Sequence, residues 1–213
     1  MNPATANALR TAATLIAFTA LGTGLLAYTF DITKGNIARN EAQTKRDLIQ
    51  QVLPQQLYNN DVVHDVVQIP PTAELGTTLT SSAYRARLNG SPAALVLEAT
   101  APDGYSGKIE LLIAIQSNGE LAGVRVVTHK ETPGLGDYIE IAKSPWIKQF
   151  DHARLAAEDT AWKVKKDGGR FDYMSGATIT PRAVVKAVHK ALRYYEQHGG
   201  AIFAQPATHQ EPP

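Results

Sequence analysis

The sequence predicts an α+β protein in which one N-terminal transmembrane helix precedes a domain built on a mixed or antiparallel sheet with packed helices. Three observations lead there. Residues 11–30 carry no charge, short apolar runs alternate with turn residues from about Tyr84, and Pro181–Gln197 repeats apolar residues at helical spacing.

The run TAATLIAFTALGTGLLAYTF, Thr11 to Phe30, at about 1.5 Å per residue just crosses a hydrocarbon core of about 30 Å. We read it as an uncleaved anchor. The competing reading, a cleaved signal peptide, would need an unusually long apolar core, and no small-x-small site follows Phe30. From Ile32 to Leu53, Ile37, Leu48, Ile49 and Val52 recur at helical spacing among charges and end at Pro54, which predicts a stalk or a first domain helix. Ala93–Thr100 (AALVLEAT), Lys108–Gln116 (KIELLIAIQ) and Leu121–His129 (LAGVRVVTH) read as strands, with PDGYSG and the Ser117–Glu120 sequence SNGE as the turns between them. A Gly-rich loop, a helix at Asp137–Ala142 and a polar stretch to Trp162 follow. The last helix sets Val184, Val185, Val188, Leu192 and Tyr195 on one face, with Pro181 suited to its first turn. The expected segments are thus 1–10, the span 11–30, a stalk and connecting region 31–83, a globular domain 84–200 and a disordered tail 201–213.

Composition removes several classes of function. The 213 residues hold 21 basic and 20 acidic side chains, a net charge of +1, so no global field draws nucleic acid. The absence of cysteine excludes disulfides, thiolate zinc, iron–sulfur ligation and cysteine nucleophiles, so redox chemistry needs an organic cofactor or another subunit. No catalytic triad, Walker loop or Rossmann fingerprint is present, and GLGDYIE does not follow a strand in a βαβ unit. His129 with Glu131 lacks the partners of a metal site and reads as a solvated pair. Trp146 and Trp162 read as packing residues.

The segment Asp172–Thr180, DYMSGATIT, carries the strongest chemical signal. A Ser-Gly-Ala-Thr turn entering a helix presents hydroxyls and backbone N–H groups where the helix dipole favours an anion such as phosphate. The plain alternative is that Thr180, before Pro181, is an ordinary N-cap.

The run Asp172-x-x-Ser175-Gly176-Ala177-Thr178 resembles the signature by which a dedicated flavin transferase moves FMN from FAD onto a threonine hydroxyl. ATAPDGYSGKIELL, HKETPGLGD and WKVKKDGGRFD, in this order, resemble the G subunit of the Rnf ion-translocating oxidoreductase complex. The C subunit of the sodium-translocating NADH:quinone reductase shares the acceptor motif and is the alternative, together with a non-redox membrane-tethered assembly module. The resemblance implies an electron-relay subunit whose domain at 84–200 binds FMN covalently, through a phosphoester to Thr178, with Ser175, Gly176, Ala177 and Thr180 around the linkage. It implies Asp172 as the recognition residue of the transferase. Glu131, Thr132, Gly134 and Leu135 then form a loop that approaches the flavin, and Lys165 or Lys166 stands near its N1 and O2 edge, where a cation stabilises the reduced anion. The implied partners are the membrane, the other subunits of an Rnf-type complex and, during maturation, the transferase. The implied location is the bacterial inner membrane, single-pass, with 1–10 cytoplasmic and the soluble domain periplasmic. Charge argues the other way, since Arg10 stands alone before the span while Lys34, Arg39, Lys45 and Arg46 follow it.

Overall fold

The computed structural model describes residues 3–155 and 159–207, the side chains of 5, 6, 8, 34–42, 45 and 159 excepted. The chain divides into an N-terminal unit, Met1–Gln43, and a second unit, Thr44–Gln210. Span and stalk, expected as separate helices, belong to one 50-residue helix, α1, from Pro3 to Val52.

In the N-terminal unit Leu9–Thr33 is long and apolar enough to cross a membrane. Three of its threonines are compatible with that use because they bond their own helix: Thr14 Oγ1 donates to Arg10 O at 2.9 Å, Thr29 Oγ1 to Leu25 O at 2.8 Å and Thr33 Oγ1 to Thr29 O at 2.7 Å. The basic side chains Lys34, Arg39 and Lys45 lie outside the described residues.

The second unit is built on five strands, β1 Val66–Ile69, β2 Ser81–Leu88, β3 Ser91–Gly104, β4 Gly107–Gln116 and β5 Leu121–Thr128, ordered β1-β2-β3-β4-β5. Every pairing is antiparallel, so the mixed alternative falls away. The sheet begins at Val66, ahead of the boundary expected at 84. Its β2–β3 hairpin closes on Asn89 and Gly90, with φ of 51° and 82°, the positive angles that a two-residue hairpin turn demands.

Both faces of the sheet are covered. On one, Leu95, Leu97, Ile113 and Ile115 pack with Val184, Val188 and Leu192 of α2, which runs from Ile179 to Ala204. On the other, Val96, Leu112, Ala114 and Tyr84 meet Ile49, Val52 and Leu53. Burial on two sides explains why β3 and β4 read as nearly unbroken apolar runs; each fully buried Leu, Ile or Val contributes about 1.5–3 kcal/mol. Gly123 permits the close crossing, since a Cβ there would stand 2.7 Å from Val52 O.

Two boundaries move for identifiable reasons. The helix expected at Asp137–Ala142 is a single 3-10 turn, Asp137–Ile139, because Glu140 is extended at φ −73°, ψ 134°. The last helix passes Gln197 and takes residues 201–204 out of the expected tail; 208–213 lie outside the described residues. Its C-terminal carbonyls are captured by β2. Arg85, 2% exposed, donates through Nη1 to Ile202 O at 3.1 Å and to Gln205 O, while Arg87 Nη2 reaches Phe203 O at 3.1 Å. Asp65 balances both guanidinium groups, at 2.8 Å from each Nε.

Candidate functional site

The approach to α2 is clamped before it turns. Asp172 N donates to Gln149 Oε1 at 2.7 Å, and Trp146 Nε1 donates to Asp172 O at 2.7 Å. Met174 and Ala177 then pair as an antiparallel bridge across Ser175 and Gly176, Ala177 N donating to Met174 O at 3.1 Å and Gly176 taking φ +87°. The N-cap that follows is Thr178, not Thr180. Its backbone lies in the αR region (φ −88°, ψ −24°) instead of the extended region usual for a cap, and its hydroxyl makes no capping bond. Thr180 sits inside the first turn, 1% exposed, and donates to Glu131 Oε2 at 2.6 Å.

Glu131, 4% exposed, ties three segments together, because its other oxygen accepts the Ser106 N–H at 3.0 Å. The loop beyond it turns through Pro133 and Gly134 (φ +76°), with Leu135 N donating to Thr132 O at 3.1 Å, the residue pattern of a type II turn. Gly136 must be glycine: a Cβ would lie 2.6 Å from Glu131 Oε2. Asp137 Oδ1 accepts the Gly134 N–H at 2.8 Å. His129, expected as a solvated partner of Glu131, is instead half-buried and wired into the loop. Its Nδ1 accepts from Glu131 N at 3.0 Å, which assigns the ring proton to Nε2 and its 2.5 Å bond to Glu140 Oε1.

Between these segments lies a cleft of about 370 Å³. Of the predicted site residues, Glu131, Thr132, Leu135, Gly176, Ala177, Thr178 and Thr180 line it. Gly136, the last residue of the same Gly-rich loop, lines it too, and so do Tyr105 and Ile179, which were missed. A signal for Tyr105 existed. PDGYSG reads as a turn, and an aromatic at its tip, here 68% exposed in the two-residue connection between β3 and β4, is not needed to make one. Ser175, Gly134 and Asp172 are not among the lining residues. Lys165 and Lys166 are not part of it: they belong to a short 3-10 turn, Lys165–Asp167, where Lys165 pairs with the carboxylate of Asp172. Asp167 is held below the usual carboxylate range by its two bonds from Arg182, at 2.5 and 2.6 Å. Trp146 and Trp162 are packing residues, 7% and 4% exposed, in one aromatic cluster with Phe150 and Phe171. A second cleft, about 310 Å³, is lined by Leu48, Ile49, Thr78 and Glu98 and contains none of the predicted residues.

The cleft therefore has a polar floor whose hydrogen bonds are satisfied, a rim of Tyr105, Leu135 and Ile179 exposed by 68, 51 and 47%, and a threonine hydroxyl at a helix N-terminus. Residues 104–193, which contain every residue of that lining, match the FMN-binding domain family, and residues 1–52 match the RnfG N-terminal region. The G subunit of the ion-translocating oxidoreductase complex of Pseudomonas aeruginosa (strain UCBPP-PA14) is 47% identical over 197 residues, 92% of each chain. The chain belongs to the family formed by the G subunits of ion-translocating oxidoreductase complexes. The family's members from Pseudoalteromonas atlantica and Vibrio cholerae (strain M66-2) are 43% and 42% identical, over 88% and 90% of this chain and 87% and 92% of theirs. A crystal structure of Shewanella oneidensis NqrC is similar with TM-score 0.48 and 20% identity, covering 71% of this chain and 74% of that one. Membership in this family, with its FMN-binding domain, makes the chain an electron-transfer flavoprotein subunit and sets aside the tethered module without a cofactor.

Proposed function

We propose that the chain relays electrons between redox partners through FMN held by a phosphoester at Thr178, as a periplasm-facing subunit of an Rnf-type complex in the bacterial inner membrane. The observation that carries this reading is the division of labour between two threonines. Thr180 spends its hydroxyl on Glu131, while Thr178, on the cleft at the start of α2, makes no capping bond with its own.

The surroundings fit the group. The first-turn amides of α2 have no intrahelical acceptors and suit a phosphate, and Tyr105, Leu135 and Ile179 offer apolar surface to a flat ring. Gly136 keeps the loop close to the floor, and Glu131 holds Thr180 and Ser106 so that the cleft keeps its shape. A clamped backbone and an exposed side chain support the reading of Asp172 as the residue that a flavin transferase recognises. FMN supplies the electron chemistry, and a cofactor that cannot dissociate needs no enclosing pocket. The isolated chain completes no turnover; the translocase requires the other subunits.

Intact mass after co-production with the flavin transferase tests the linkage. The expected value is the sequence mass plus FMN less one water, with in-gel fluorescence after denaturing electrophoresis. An unmodified mass under those conditions overturns it. A reporter fused after Pro213 should be active only if it functions in the periplasm; a cytoplasmic signal overturns the orientation.

A further inference from the structure

We propose that Tyr138 is a positioning residue for flavin attachment, its hydroxyl setting the geometry in which the acceptor turn presents Thr178. The inference rests on Thr178 being the acceptor.

A two-residue antiparallel connection is ordinarily closed by a reciprocal pair of backbone bonds between its flanking residues. Here one of the pair is made, from Ala177 N to Met174 O at 3.1 Å. The other, from Met174 N to Ala177 O, is weaker and shares both its groups with a side chain. Met174 N donates to the Tyr138 hydroxyl at 3.2 Å, and that hydroxyl donates to Ala177 O at 3.3 Å. The phenolic oxygen, bonded to a group on each side, braces the turn from its flank. It also fixes the peptide plane between Ala177 and Thr178, and with it the direction of the Thr178 side chain.

Tyr138 is well held for this task. It is 6% exposed, and its ring stands edge-on to Trp146 at 5.6 Å and 87°. Trp146 in turn bonds Asp172 O, so the recognition aspartate and the acceptor threonine are both referred to one pair of packed rings. Burial raises the Tyr138 pKa, keeping the hydroxyl protonated as the donor that Ala177 O requires. Tyr138 does not line the cleft, so it acts on the reaction through the turn and not by touching the cofactor.

The transfer is a substitution at phosphorus without change of oxidation state. The Thr178 oxygen bonds to the FMN-side phosphorus of FAD, that phosphorus loses its bond to the bridging oxygen, AMP departs, and the hydroxyl proton passes to base or solvent. Attack in line with the leaving oxygen depends steeply on the direction of the attacking hydroxyl. A misdirected hydroxyl lowers the turnover of the transferase complex more than its formation.

The test is Tyr138→Phe in the full-length chain, which keeps the ring against Trp146 and removes both bonds. Flavinylation rates with FAD and the transferase, measured against acceptor concentration, should show kcat lowered about 10- to 100-fold with KM nearly unchanged. Asp172→Ala in parallel should raise KM. Rates are referred to the cooperatively melting fraction, and hydrogen exchange should show faster loss of the Met174 amide proton in the folded variant. Wild-type kcat in folded Tyr138→Phe, beside a flavinylated wild type, overturns this inference alone. A wild-type chain that takes no flavin, or takes it elsewhere than Thr178, overturns the acceptor assignment and this inference with it.

Discussion

Thr180 and Glu131, 49 positions apart, share a 2.6 Å hydrogen bond between two buried side chains, which fastens the first turn of α2 to the loop after β5. Thr180→Val keeps the volume and strands one carboxylate oxygen. We expect a loss of about 1–3 kcal/mol in urea unfolding of the detergent-solubilised chain, the cost of an unsatisfied buried acceptor. Flavin should still be attached, at Thr178. Unchanged stability would mean that the bond carries no weight.

Thr178→Ala should behave in the opposite way. Its hydroxyl makes no cap bond, so stability should change by no more than about 0.5 kcal/mol. Covalent flavin should vanish from denaturing gels and from the intact mass. A fluorescent Thr178→Ala band would transfer the linkage to another hydroxyl, Thr180 being the nearest in the sequence of the turn.

Asp172→Ala should abolish or strongly reduce flavinylation in cells at normal protein levels. The carboxylate meets Lys165 in an exposed pair worth about 0–1 kcal/mol, while the backbone clamps from Trp146 and Gln149 survive the substitution. Lys165→Ala is the control. It breaks the same pair and should leave flavinylation near wild type; equal losses in both variants would point to the ion pair itself as the recognised feature.

Arg85→Leu should cost about 1–3 kcal/mol, because Asp65 keeps Arg87 while the carbonyls at the end of α2 lose a buried charged donor. The loss has a location. Amide exchange should accelerate in the last turn of α2, near Ile202 and Phe203, whose carbonyls Arg85 accompanies. A uniform destabilisation without fraying there would contradict the capping role.

Burial raises the pKa of the Asp151 carboxyl, outweighing the opposing pull of Arg125, His152 and Lys148, and one of its oxygens has no partner. The native carboxyl therefore holds its proton more tightly than the unfolded one. Stability from this group is greatest below the ordinary carboxylate value of about 3.9 and is lost as pH rises through the native pKa. Asp151→Asn should raise the melting temperature at pH 7, with the advantage shrinking in acid. A lowered melting temperature at pH 7 would show that the charge is needed there.

The sequence by itself determined the element types, three of the strands, the principal helix and the membrane-compatible segment, because periodicity and turn chemistry are local. It also located most of the cleft, since the Asp172–Thr180 run and the Glu131–Leu135 loop each announce themselves within a few residues. Contacts between distant segments decided the rest. The pattern in β1 is four residues long and ends at Pro70, too little to register before β2 pairs with it. The helix continues past Gln197 because Arg85 and Arg87, more than 100 positions earlier, receive its last carbonyls. The charge of Lys165 suits a flavin edge, but an aspartate seven positions on draws it away from the cleft. Which of two neighbouring threonines keeps its hydroxyl available was not legible either. Both precede the same helix, and the choice was made by Glu131, a buried carboxylate that must be satisfied and that only folding brings to Thr180.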